Sequence, residues 1–303
     1  YTLSLHDALP ISLEYGRRAI AAGIPIERFG PRLSFFFAAH NDLFEEAAKF
    51  RAARRLGAKV ARDRLGADDA TAKLRFHTQT GGVTLQAQQP LNNVVRVTVQ
   101  ALAATLGGTQ SLHTNGYDEA LALPTQQAAT LALRTQQIIG YESGLDRTVD
   151  PLAGSYYVES LTDRIEAAAL ALIDEVDAMG GAVAAVESGF YQDRIAEAAY
   201  ELQKAQDDGR VTVVGVNRFA SDEPPPVIET PNFPALEAEQ KAAVGAVRAK
   251  RNTSAARTAL AALGQAAAGT DGLMPRIIEA VRARATLGEI SDTLRGVWGT
   301  YQR

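Results

Sequence analysis

Three short strand-like runs, each followed by a long helical pattern, constrain this chain more than any other feature. Arg32–Phe37 (RLSFFF) precedes a helical stripe over Asn41–Leu56 carried by Phe44, Ala47, Ala48 and Leu56. Leu74–Thr80 precedes a helix over Leu91–Leu106 that ends at Gly107-Gly108. Thr109–Thr114 precedes a helical stretch over Tyr117–Ser143, interrupted at Pro124. Apolar residues at three- and four-residue spacing mark helices, and short apolar runs bounded by turn residues mark strands. Repeated βα steps require parallel pairing, so the expected class is α/β.

The flanks read differently. A helix is expected over Leu13–Ala22, stopped by Gly23. The first twelve residues, YTLSLHDALPIS, lack the charged start and apolar core of a signal peptide and resemble translated sequencing-adapter sequence. Residues 1–12 are therefore expected to be non-native, with the natural sequence starting near Leu13. Beyond Asp150-Pro151 the chain becomes mostly helical, with Leu161–Met179 and Asp193–Ala205 the clearest helices. Val211–Val216 reads as an isolated strand and Asp222–Pro226 (DEPPP) as a linker. Pro234–Arg251, Thr253–Ala267, Met274–Arg284 and Leu287–Trp298 follow as alanine-rich helices, and no internal repeat has a fixed period.

Two of the runs carry polar side chains where a buried strand would not. Leu74–Gly82 (LRFHTQTGG) and Thr109–Thr125 (TQSLHTNGYDEALALPT) place titratable groups at strand ends, the usual ligand-binding edge of an α/β sheet. His77 and Gln79 are two residues apart and share one face. Asn115 and Glu119 lie close together if a helix begins at the turn, and Asp118 reads as a helix-start residue favoured by the macrodipole. Gln110 and His113 read as polar filling.

Composition removes several classes. With 31 basic and 35 acidic residues, a net charge of −4 and a pI near 5.7, the chain has no basic stripe, so neither nucleic acid nor an anionic membrane is an expected partner. It contains no cysteine, which excludes disulfides, thiolate metal sites and a cysteine nucleophile, and agrees with a cytoplasmic location. No apolar run approaches the roughly 20 residues of a membrane span.

Read together and in order, RLSFFF, LRFHTQTGG, LNNVVR, TQSLHTN with DEALALPT, ESG, VDPLAGSYYVE, GVNRF and ATLGEISDTLR resemble the large catalytic chain of the adenosylcobalamin-dependent acyl-CoA mutases. The resemblance runs from about Leu13 to the last residue. It implies a partial (β/α)8 TIM barrel, residues 13–150 forming its last three βα units around the pantetheine arm of coenzyme A. Residues 151–303 would form a mostly helical linker and subunit-contact region. Arg32 and Ser34 match the arginine and serine that contact coenzyme A, and a guanidinium fork suits phosphate. His77 would lie near the thioester. Gln79 and Gly82 would face the cobalamin, Asn115 and Glu119 would hold the adenosine ribose, and Ala122 would pack near the cofactor.

The same resemblance implies a radical carbon-skeleton isomerisation of an acyl-CoA, with (R)-methylmalonyl-CoA to succinyl-CoA the expected member. Isobutyryl-, ethylmalonyl- and 2-hydroxyisobutyryl-CoA are the sibling substrates. The residues that steer the radical and recognise the substrate carboxylate are expected in earlier strands, outside this chain. None of the four histidines satisfies the D-x-H-x-x-G pattern of the cobalt ligand; His113 has Ser111 where the aspartate should stand. A separate domain or small cobalamin-binding subunit is thus the expected partner, in a dimer or hetero-oligomer. Two other readings remain open. One is a metal-dependent hydrolase using His77 and His113 with Asp118 or Glu119; the other is an inactive fragment or interaction piece, since three strands cannot close an eight-stranded barrel.

Overall fold

Parallel pairing of three strands organises the structure. The computed structural model describes residues 3–222 and 231–300, with side chains from residue 8 onward. β1 (Phe35–Ala39), β2 (Phe76–Thr80) and β3 (Ser111–His113) pair in that order, both pairs parallel. Phe36, His77 and Ser111 form one row across the sheet, and Ala38, Gln79 and His113 the next. One sheet face therefore carries Phe36, His77, Gln79, Ser111 and His113, and the other carries Phe37, Phe76 and Thr78.

Before β1 come α1 (Leu3–Ala21) and α2 (Ile26–Phe29). Helices α3 (Leu43–Leu65) and α4 (Asn92–Leu106) make the crossovers, and α5 (Gln126–Tyr141) follows β3. Asp42 caps α3 by accepting from Glu45 N, and Gly66, at φ +71°, ends it in the left-handed conformation that glycine adopts without strain. The core forms where α3 meets the sheet. Phe37, Phe50 and Phe76 are buried, with ring centroids 5.2 to 6.3 Å apart. Each such ring contributes about 1.5–3 kcal/mol over the exposed state.

α6 (Tyr156–Ala178) packs along α3, joined to it by charge as well as by apolar contact. Arg51 meets Glu159, Arg55 meets Asp163 and Glu166, Lys59 meets Glu166, and Arg64 meets Asp174 and Asp177. The basic residues of α3 recur at helical spacing, so one face presents cations to an acidic stripe. α1 adds Leu9 and Leu13 to a cluster with Leu56, Val60 and Ile173. α7 (Ala182–Glu187) and α8 (Phe190–Asp207) follow.

The chain divides into two compact units, Tyr1–Thr230 and Pro231–Arg303. In the second, α9 (Phe233–Lys250), α10 (Thr253–Ala268), α11 (Leu273–Arg282) and α12 (Leu287–Trp298) are all helical. Leu263, Ala280 and Ile290 form its core. Among the described residues no helix is long and apolar enough to cross a membrane.

Several elements differ from the sequence reading. The first strand does not begin at Arg32: Gly30–Arg32 is a 3-10 turn closed by Leu33 N donating to Gly30 O, because Pro31 fixes φ and has no N–H to offer a ladder. The helix expected from Tyr117 begins only at Gln126, and residues 116–125 form a loop. Asp118 serves that helix start from seven residues upstream, accepting from Thr125 N and Oγ1 at 2.9 Å each. Val211–Val216 is not a strand. Among the described residues it has no strand partner beyond one bridge between Val214 and Arg218, and the loop is held by Asn217, whose Nδ2 donates to Gln206 O and Val211 O. Most of the Asp222–Pro226 linker lies outside the described residues.

Candidate functional site

The C-terminal edge of the sheet gathers side chains from two strand ends. Asn115, the second residue after β3, is 2 % exposed. Its Nδ2 donates to Thr80 O at 3.0 Å, its backbone N donates to Thr80 Oγ1 at 2.9 Å, and its Oδ1 accepts from Gln79 Nε2 at 2.9 Å. Gly82 opens a 3-10 turn over Gly82–Thr84 beside it. A Cβ at Gly82 would stand 3.0 Å from Asn115 Nδ2 and 3.5 Å from Glu119 Oε1, so Gln79, Gly82, Asn115 and Glu119 converge.

Glu119 reaches this position through a turn rather than a helix, with Glu119 N donating to Gly116 O at 3.2 Å. Its carboxylate is exposed. A carboxylate only accepts, so it suits a pair of hydroxyl donors. Ala122 lies in the same loop, half-buried, its N donating to Asp118 O.

The remaining candidates lie elsewhere on the sheet. His77 is mid-strand, on the same face as Gln79; its Nδ1 is 2.7 Å from Ser111 Oγ and its ring centroid 5.1 Å from that of Phe36. Arg32 and Ser34 precede β1, at the opposite, N-terminal edge, and both are exposed. Parallel strands make these two edges chemically distinct: donors for an anion at one end, an imidazole in the middle, and an amide and carboxylate at the other. Gln110 extends the ladder, its Oε1 accepting from Phe76 N at 2.8 Å. Among the described residues no group of three His, Asp or Glu side chains comes together to hold a metal ion.

Residues the sequence reading did not single out surround the C-terminal edge. Glu46 and Lys49 of α3 are each 1 % exposed and form a buried ion pair beneath the end of β1. Lys49 Nζ also donates to Ala38 O at 2.7 Å, and His40 N donates to Glu46 Oε2 at 2.9 Å. Burial pulls the Lys49 pKa below the usual lysine range, against the opposing pull of Glu46. Burial likewise lowers the pKa of His40, which sits against Gly81. Gln100 and Asn93 of α4 are also buried and bonded to the loops of this edge. A polar residue within an apolar helix face was the available signal, but its partners, such as Gly81 N, Asn41 Oδ1 and Thr84 Oγ1 for Gln100, lie on other elements and leave no local pattern.

The family model described as methylmalonyl-CoA mutase matches residues 2–300. The chain is 45% identical over 293 residues to the 2-hydroxyisobutanoyl-CoA mutase large subunit of Aquincola tertiaricarbonis, covering 96% of this chain and 52% of that protein. It is 47% identical over 291 residues to methylmalonyl-CoA mutase of Escherichia coli strain K12, covering 95% of this chain and 41% of that protein. It is 43% identical over 307 residues to the methylmalonyl-CoA mutase large subunit of Streptomyces virginiae, covering 99% of this chain and 42% of that one. The chain thus spans about half the length, or less, of these relatives.

Proposed function

The chain belongs to the methylmalonyl-CoA mutase family, and from that premise we propose that it is part of an adenosylcobalamin-dependent acyl-CoA mutase. The observation that carries the reading is the convergence of Gln79, Gly82, Asn115 and Glu119 at the C-terminal edge of a parallel sheet, opposite Arg32 and Ser34. In this reading the three strands are the last of a (β/α)8 barrel. Residues 13–150 contribute to the acyl-CoA-binding barrel and 151–303 to a helical subunit-contact region, in a cytoplasmic protein. Acyl-CoA runs along the sheet face, its phosphates near Arg32 and Ser34 and its thioester near His77.

The residues at the C-terminal edge fit the cofactor. The absence of a side chain at Gly82 leaves a space that a Cβ would fill, and the exposed Glu119 carboxylate is free to accept from ribose hydroxyls. Gln79, Gly82, Asn115, Glu119 and Ala122 would hold adenosylcobalamin, with the cobalt ligand coming from a separate domain or small subunit. When bound, the cofactor supplies the radical chemistry of the carbon-skeleton rearrangement. The chain's own residues bind, orient and exclude water, so no nucleophile and base pair is required.

(R)-Methylmalonyl-CoA, giving succinyl-CoA, is the proposed substrate. The similar identity to a protein named for 2-hydroxyisobutanoyl-CoA keeps that sibling as a second reading. The isolated chain, whose β1 and β3 edges are unpaired among the described residues, is proposed to be inactive by itself. The test is to assemble the complete protein with adenosylcobalamin and assay both thioesters for isomerised product by mass spectrometry. Product from either supports the mutase reading and chooses the substrate. No product from any acyl-CoA, together with no cofactor binding, overturns it.

A further inference from the structure

Two buried side chains on one face of α4 reach the two loops that carry the proposed cofactor contacts. Gln100 is 0 % exposed; its Oε1 accepts from Gly81 N at 3.0 Å, and its Nε2 donates to Asn41 Oδ1 and Thr84 Oγ1, each at 2.6 Å. The Thr84 hydroxyl in turn donates to Gly81 O at 2.6 Å. One amide thus grips the turn around Gly82 and ties it to the end of β1.

Asn93, also 0 % exposed, stands seven residues earlier on the same helix face. Its Nδ2 donates to Gln86 O at 2.8 Å and to Tyr117 O at 2.9 Å, and its Oδ1 accepts from Gln86 N at 3.1 Å and Arg96 Nη1 at 2.7 Å. Tyr117 lies between Asn115 and Glu119. The two anchors are about 10 Å apart along a helix, whose rise is fixed by its own hydrogen bonds. We propose that Asn93 and Gln100 are positioning residues that set the separation of Gly82 and Glu119, and so the width of the seat for the cofactor's ribose, without touching the cofactor. This rests on the mutase reading of that edge.

The test separates the two ligands. In the complete protein, adenosylcobalamin affinity is measured by absorbance titration and methylmalonyl-CoA affinity by calorimetry without cofactor, for the parent, Asn93→Asp and Gln100→Glu. Asn93→Asp keeps the acceptor facing Gln86 N and Arg96 but removes the donor to Tyr117 O and to Gln86 O. Gln100→Glu keeps the acceptor for Gly81 N but removes the donors to Asn41 and Thr84. The expected result is adenosylcobalamin binding weakened about 10-fold or more, the range found when outer supporting groups are lost, with thioester affinity within about twofold because the Arg32 edge is remote. Equal loss of both ligands, or no loss of either, overturns the inference while leaving the mutase reading intact. A parent that binds no adenosylcobalamin overturns both. If Gln100→Glu does not fold, Asn93→Asp, whose new charge faces Arg96, carries the test alone.

Discussion

Gln79 Nε2 donates to Asn115 Oδ1 at 2.9 Å, so the last residues of one strand and the loop after the next share a hydrogen bond. The two partners are unequal. Asn115 is buried and also anchors to Thr80 O, whereas Gln79 is exposed. Removing the Asn115 side chain strands a buried carbonyl; removing that of Gln79 returns Asn115 Oδ1 towards solvent. Asn115→Ala should therefore lower unfolding free energy by about 1–3 kcal/mol and Gln79→Ala by less than about 1 kcal/mol. Urea titration of both variants checks the order, and equal losses would contradict it.

Gly82 offers a contrasting case, in which function should change and stability should not. Its φ is not positive, so alanine is compatible with its backbone, and the added Cβ would meet Asn115 Nδ2 at 3.0 Å. Gly82→Ala should change stability by no more than about 1 kcal/mol, since loss of chain freedom in the unfolded state offsets the tight contact. If Gly82 faces the cofactor, adenosylcobalamin binding should weaken while the melting temperature holds. A variant that binds as the parent does removes Gly82 from the seat.

Much of this arrangement is legible in sequence, for identifiable reasons. α12 occupies Leu287–Trp298 as its apolar spacing indicates, because Thr286 and Glu289 form a capping box that fixes its start. The three strands and their parallel order follow from the βα alternation. Residues 117–123 mislead because DEALAL has strong helix formers, yet Pro124 and the reach of Asp118 to Thr125 delay the helix to Gln126. Val211–Val216 misleads because a β-rich run is a strand only where a partner exists. Asn93, Gln100, Glu46 and Lys49 escaped notice for another reason: each bonds to groups on another element, Asn93 to Tyr117 O, Gln100 to Asn41 and Gly81, and Glu46 and Lys49 to the end of β1 and His40, which no helical period records.

The buried ion pair under β1 should behave unlike the ion pairs between α3 and α6. Lys49 and Glu46 have side chains only 2 % exposed, whereas Arg55 and Lys59, which share Glu166, are 41% and 56% exposed. Lys49→Met leaves Glu46 as an uncompensated buried charge and should cost about 3–5 kcal/mol; the Lys49→Met, Glu46→Leu double variant should recover part of that loss. Lys59→Met should cost less than about 1 kcal/mol, because Arg55 remains on Glu166 and the site is open to water. Guanidinium unfolding curves of the three variants test this. A double variant as unstable as the single one would show that the charge is not the source of the cost.

In the helical unit, Glu289 ties stability to pH. The two guanidinium bonds from Arg251, at 2.6 Å each, come first among the causes, with Thr286 N and Oγ1 adding two more, and together they hold the Glu289 pKa well below the usual carboxylate range. A pKa lower in the folded than in the unfolded chain means that the stabilisation is complete above the unfolded value, about 4.3 for glutamate, and is lost as pH falls towards the folded value. Trp298, the chain's single tryptophan, lies in this same unit with Nε1 donating to Ala267 O at 3.1 Å, so its fluorescence reports local unfolding. The urea midpoint read from Trp298 should hold near neutral pH and fall between about pH 5 and about pH 3. Glu289→Gln should start lower at neutral pH and show a shallower acid loss. An acid slope unchanged by the substitution would assign the pH dependence to other carboxylates.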